Sequence, residues 1–123
     1  MRESTAQSTL LDAAVVNQLR TLDDDGTLLS ALIDEFRRDA ARSMLKLSNG
    51  ARELAQKPVL EAAHSLKGAS ATLGMVAVST LCGELEQLGE ARRFVLMAPK
   101  LAQLEVWVEQ ALEALDRVRR AGL

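Results

Sequence analysis

Apolar residues recur at steps of three and four through most of this 123-residue chain, the period of a helix with one buried stripe. Leu29, Ile33, Phe36, Ala40, Met44, Leu47, Ala51 and Leu54 form one such series. Leu101, Leu104, Val108, Ala111, Leu115 and Val118 form another. The composition agrees with the period. Hydrophobic residues make up 48%, enough for a packed core, yet Phe36, Phe94 and Trp107 are the only aromatics. Such a core must be built from Leu, Ala, Val and Met, which favours helices over the β-branched and aromatic strands of a sandwich. The length is that of one ordinary domain.

Caps and breakers divide the chain. Residues Met1 to Thr9 are polar and are expected to be a disordered N-terminal segment or linker, with the folded domain spanning 10–123. A short helix is expected from about Asp12 to Leu22, with Thr9 or Asp12 as N-cap and Leu11, Val15, Leu19 and Leu22 on its stripe. Asp23-Asp24-Asp25-Gly26 breaks it and supplies acceptors for the next helix. That cluster lacks the alternating ligands and terminal Glu of an EF-hand, so turn and cap is favoured over a metal site. The second helix is expected to run to about Ala55, through the turn-prone Asn49-Gly50 pair. Pro58 opens a third, stopped at Gly74 after Leu73. A fourth covers about Met75 to Leu88 and ends at Gly89, and Pro99 opens a fifth to about Arg120. The expected fold is all-α: an antiparallel four-helix bundle with an additional short N-terminal helix across one end.

The inventory of reactive side chains excludes much. With one histidine, His64, and one cysteine, Cys82, neither a multi-His zinc site nor a zinc finger can form. No disulfide can form within the chain, which points to a reducing compartment. A net charge of −2 gives no footprint for nucleic acid. No apolar run approaches the ~20 residues of a membrane span, and the N-terminus lacks the apolar stretch of a signal peptide. A cytoplasmic protein is expected. No glycine-rich ATP loop, P-loop or Rossmann spacing occurs, so no ATP-dependent kinase activity is expected of this domain alone. Cys82 falls close to the core-facing Val78 on the helical wheel and reads as a buried structural thiol.

The third helix is the most informative segment. At about 100° per residue, Val59, Ala62, Ala63, Leu66, Ala69, Ser70 and Leu73 share one face, the core stripe. His64 lies about 160° from Leu66 and so points away from the bundle interior. Phase argues against a core histidine; a surface histidine without a role stays open. Gly68 sits one turn on, and Ala71 projects about 20° from His64. A glycine inside a helix costs roughly 1 kcal/mol against alanine, and on an outward face it would leave room for a bulky partner at the imidazole. Lys67 can bend its ammonium toward the same space, where a cation favours a dianionic group on the ring. Leu60, also outside the stripe, would supply an apolar rim. An imidazole at pH 7 is mostly neutral, with a free lone pair on one nitrogen. The arrangement suits covalent phosphorylation by a docking partner better than an enclosed active site.

The segment AAHSLKGASATLG, Ala62 to Gly74, resembles the signature of histidine-containing phosphotransfer (Hpt) domains of multistep two-component phosphorelays. The H-x-x-K-G pattern with a further glycine falls on His64, Lys67, Gly68 and Gly74. The likeness extends from about Leu10 to the C-terminus, including Leu11-Asp12, Phe36 and the LCGELEQLGE segment, Leu81 to Glu90. The resemblance implies that Nε2 of His64 accepts a phosphoryl group from a receiver-domain aspartate and passes it to another response-regulator receiver. It also implies that Lys67 steadies the phosphoryl oxygens and that Gly68 clears space for the receiver, with Leu60 and Ala71 at the contact. Glu86 matches the position from which a polar residue, glutamine in some relatives, orients the imidazole through its other nitrogen. Adjacent Gln87 projects further from the core. No cofactor is expected on this domain, and Mg²⁺ is expected on the partner receiver. The parent is expected to be either a free-standing protein or a hybrid sensor histidine kinase carrying this domain at its C-terminal end, in its cytoplasmic part. A monomer is expected, since the four apolar stripes can satisfy one another, although Leu60 and Phe94 could be exposed. The alternative function is a helical-bundle adaptor without chemistry; a hydrolase using His64 as base has no recognisable nucleophile motif to support it.

Overall fold

Asp12 opens the first helix. In the computed structural model, which describes residues 10–121, its carboxylate accepts from the Ala14 N–H at 2.9 Å and caps α1 (Ala13–Leu22). The expected segment 1–9, with Thr9 as the other candidate cap, lies outside the described residues. Two of the three neighbouring carboxylates serve α2 (Thr27–Arg52). Asp23 accepts from the N–H groups of Gly26, Leu28 and Leu29, and Asp25 from both the N–H and the hydroxyl of Thr27. The acidic cluster is therefore used as a helix cap. There follow α3 (Gln56–Thr72), α4 (Val76–Glu90), a 3₁₀ turn (Phe94–Met97) and α5 (Ala98–Ala121).

Helices α2 to α5 form a ring in which each packs on the two beside it: α2 on α3, α3 on α4, α4 on α5 and α5 on α2. Their stripes meet inside. Ile33, Leu47, Leu66, Leu85, Leu104 and Leu115 are each at most 1% exposed, and burying a side chain of this size stabilises the fold by about 1.5–3 kcal/mol. On α1 the buried residue is Val16, while Leu22 is 71% exposed. The expected stripe therefore holds at Leu11 and Leu19, which pack against the core, but its buried valine is Val16 rather than the expected Val15, and Leu22 falls outside it. The 3₁₀ turn, absent from the sequence expectation, buries Phe94 and Met97 at the bundle end, so Phe94 is a core residue. No described helix is long and apolar enough to cross a membrane.

The glycines do not all act as stops. Gly74 does: at φ 73 it closes α3 with the Gly74 N–H donating to Ala71 O and the Met75 N–H to Ser70 O. A Cβ there would also lie 3.1 Å from Val15 Cβ, and the Asp12 N–H donates to Gly74 O at 2.7 Å, so α1 is seated directly on this turn. Gly50 and Gly89 behave otherwise. Both are buried inside their helices, and the left-handed residues that end α2 and α4 are Leu54 (φ 55) and Arg92 (φ 56). Leu54, expected on the core stripe, is 62% exposed because it lies beyond the last turn. The glycines are needed for close approach: a Cβ on Gly50 would lie 2.8 Å from Val59 Cγ2, and one on Gly89 2.9 Å from Val59 Cγ1. Val59 of α3 is thus wedged between α2 and α4. Gly89→Val should destabilise the domain by about 1–3 kcal/mol, read as a lower urea midpoint; an unchanged midpoint would show that α4 can move off Val59 at no cost.

Candidate functional site

The outward face of α3 carries the candidate residues. The core stripe inferred from helical phase is present: Val59, Ala62, Ala63, Leu66, Ser70 and Leu73 are buried and Ala69 packs against them. With Leu66 fixed inward, His64 must emerge on the opposite side, and its side chain is 75% exposed. Ser70 is the buried polar residue of the stripe; its hydroxyl donates to Leu66 O at 2.7 Å, so its burial leaves no unmet polar group.

Three side chains from two helices converge here. Glu86 of α4 receives Lys67 Nζ on Oε1 at 2.6 Å and faces His64 Nδ1 with Oε2 at 3.1 Å. The Lys67 hydrogen bond holds the Glu86 carboxyl below its ordinary range, partial burial works against this, and the His64 contact adds to the lowering. Glu86 is therefore ionised at neutral pH. A carboxylate can only accept, so the proton of a neutral His64 sits on Nδ1 and the lone pair on Nε2. Nε2 makes no hydrogen bond among the described residues.

The surroundings of Nε2 are open. A Cβ on Gly68 would meet nothing within 4 Å, and Ala71, one turn further, is exposed. Leu60 differs from expectation. It is half-buried, because Gly89 lets α3 and α4 close and Leu60 folds over the gap; its Cδ2 would lie 3.2 Å from a Cβ at Gly89. It borders the face rather than standing out from it. Gln87 is exposed, and the carboxylate that meets the imidazole is that of Glu86.

Two supporting residues escaped the sequence reading. Ser79 Oγ of α4 donates to Lys67 O at 3.4 Å, and the Lys67 stem runs beside Gly83, where a Cβ would lie 3.8 Å from Lys67 Cδ. Gly83 precedes Glu86 by three positions, one helical turn, which is the spacing that could have pointed to it. Cys82 is fully buried behind the site, and burial first, then the Glu86 charge, push its thiol up to about 12. It is inert.

The site is a surface rather than a cavity, and it brings one nucleophilic nitrogen, one cation and one carboxylate together beneath clear space.

Comparison with known proteins agrees with this geometry. The family model described as the Hpt domain matches residues 27–121. Histidine-containing phosphotransfer protein B (HptB) of Pseudomonas aeruginosa PAO1 superposes with a TM-score of 0.81 at 22% identity, covering 90% of this chain and 95% of that one. A putative histidine-containing phosphotransfer protein from rice gives a TM-score of 0.65 at 25% identity, covering 96% of this chain and 84% of that one. No curated protein sequence matches. The helical order, the bundle they share and the family match over most of its length together establish that this chain belongs to the Hpt domain family.

Proposed function

We propose that this domain carries a phosphoryl group on Nε2 of His64 between receiver-domain aspartates of a two-component phosphorelay. One observation supports this above the others: the Glu86 carboxylate faces Nδ1 of an exposed imidazole at 3.1 Å, which favours a proton on Nδ1 and a nucleophilic Nε2 over the open surface of Gly68. In transfer, the Nε2 lone pair attacks the phosphorus of a receiver's aspartyl phosphate. The Nε2–P bond forms as the P–O bond to the acyl oxygen breaks, and the aspartate carboxylate remains with the receiver. The reverse step on a second receiver delivers the group. Lys67 neutralises the phosphoryl oxygens, and in-line positioning with charge neutralisation is most of what such a transfer needs. The Mg²⁺ that assists is held by the receiver. Gly68, Ala71 and the edge of Leu60 form the docking face, and the domain acts as a monomer in the cytoplasm.

Incubation with a phosphorylated receiver tests the proposal. Wild type should gain acid-labile, base-stable label and His64→Gln none, with the same melting temperature. No transfer to wild type, or equal transfer to His64→Gln, would replace this reading with that of an adaptor.

A further inference from the structure

Glu86 holds two partners that a phosphoryl group would separate. Its Oε1 binds Lys67 at 2.6 Å while Oε2 faces His64 Nδ1 at 3.1 Å, so one carboxylate is shared between the ammonium and the ring. Lys67 lies three residues from His64 on the same helix, and its side chain is 40% exposed. Glu86 is only 22% exposed, and its shorter side chain reaches both partners from α4. The longer, more exposed cation is the partner with room to move, and the shorter, less exposed carboxylate the one that stays.

We propose that Lys67 changes partner when His64 is phosphorylated, and that Glu86, left on Nδ1–H alone, is a positioning residue that makes the domain release its phosphoryl group rather than store it. This rests on the phosphotransfer reading above. A phosphoryl group carries nearly two charges and three strong acceptors, against one charge on the carboxylate, so the ammonium moves to it. The Nδ1–H then keeps a charge-assisted bond to Glu86. When the Nε2–P bond breaks, a ring protonated on Nδ1 leaves as neutral imidazole, whereas a deprotonated ring must leave as imidazolate, a far poorer leaving group. The Glu86 charge holds that proton in place and so keeps the N–P bond labile. An amide at this position could accept from Nδ1–H, but a bond to a neutral acceptor is about half as strong and offers Lys67 no counter-ion.

A double-mutant cycle on the full chain tests this, with wild type, Glu86→Gln, Lys67→Met and the double variant. Each is charged with phosphoramidate, from which Nε2 takes the phosphoryl group as ammonia leaves. ³¹P NMR follows charging and then the decay of phosphohistidine to inorganic phosphate, and thermal melts confirm folding. Glu86→Gln should lengthen the phosphohistidine half-life roughly five-fold. That factor should be the same with and without Lys67, because Lys67 has left Glu86 in the phosphorylated state. The charging rates should instead be non-additive, because the pair exists at rest. An unchanged half-life in Glu86→Gln, or a half-life effect that disappears in the Lys67→Met background, overturns the proposal. A wild type that charges from phosphoramidate and shows the cycle, yet takes nothing from a phosphorylated receiver, supports the Glu86 argument and contradicts the phosphotransfer function. No charging by either route overturns both.

Discussion

Gly68→Gln is expected to slow phosphoryl transfer to and from a receiver by about 100-fold while leaving the domain fully folded. The two halves of this expectation have separate grounds. Nothing within 4 Å would meet a Cβ at Gly68, so the side chain projects into solvent and displaces no native contact. Replacing a mid-helix glycine also raises helix propensity, by up to about 0.5–1 kcal/mol, so the melting temperature should hold or rise. The cost falls on the encounter instead. A receiver must bring its aspartyl phosphate in line with Nε2 of His64, one turn away on the same face, and a misplacement near 1 Å is enough for a loss of this order. Stopped-flow or gel-based transfer assays alongside thermal melts would check it. A variant that transfers normally would show that the receiver does not approach over Gly68, and one that unfolds would show that this face is not free.

Leu66→Ala should give the opposite pattern. Leu66 is 1% exposed at the centre of the α3 stripe, two residues from His64 and on the other side of the helix. Its truncation should cost about 2–5 kcal/mol through lost burial and a cavity the bundle cannot fully close. For a domain of this size that lowers the melting temperature by roughly 8–20 °C. Well below the new transition, the folded fraction should still transfer through His64, since the histidine, Lys67 and Glu86 keep their places on the outer face. Denaturant titration and transfer at low temperature read the two effects separately. A small loss of stability would mean that the stripe repacks around the gap.

The contrast between these residues explains what could be read before the fold was in view. Helical phase is a local property, so Leu66 inward and His64 outward followed from spacing alone, as did the bundle seam of Leu104, Val108, Ala111 and Leu115. What depends on contacts between helices was less legible. Gly89 looks like a helix stop in one dimension; only the packing of α4 on Val59 shows that it is there for close approach. Leu60 falls off the stripe by phase, yet the gap that Gly89 leaves draws it half under the surface. At Leu54 and Arg92 the chain takes the left-handed turn without glycine, so no residue type marked those ends. At the site, Glu86 could be named from family resemblance, but the sharing of its carboxylate between Lys67 and His64 is a property of two helices in register. Ser79 had no signal to set it apart from an ordinary helix face, and Gly83 only its place one turn before Glu86.

The most direct test of the whole account is the identity of the phosphorylated atom. Wild-type protein labelled with ¹⁵N in its one histidine, charged by a phosphorylated receiver, should show a single ³¹P resonance coupled to Nε2 of His64, and Nδ1 should still carry its proton. A phosphoryl group found on Nδ1, on another residue, or nowhere on the chain would contradict it.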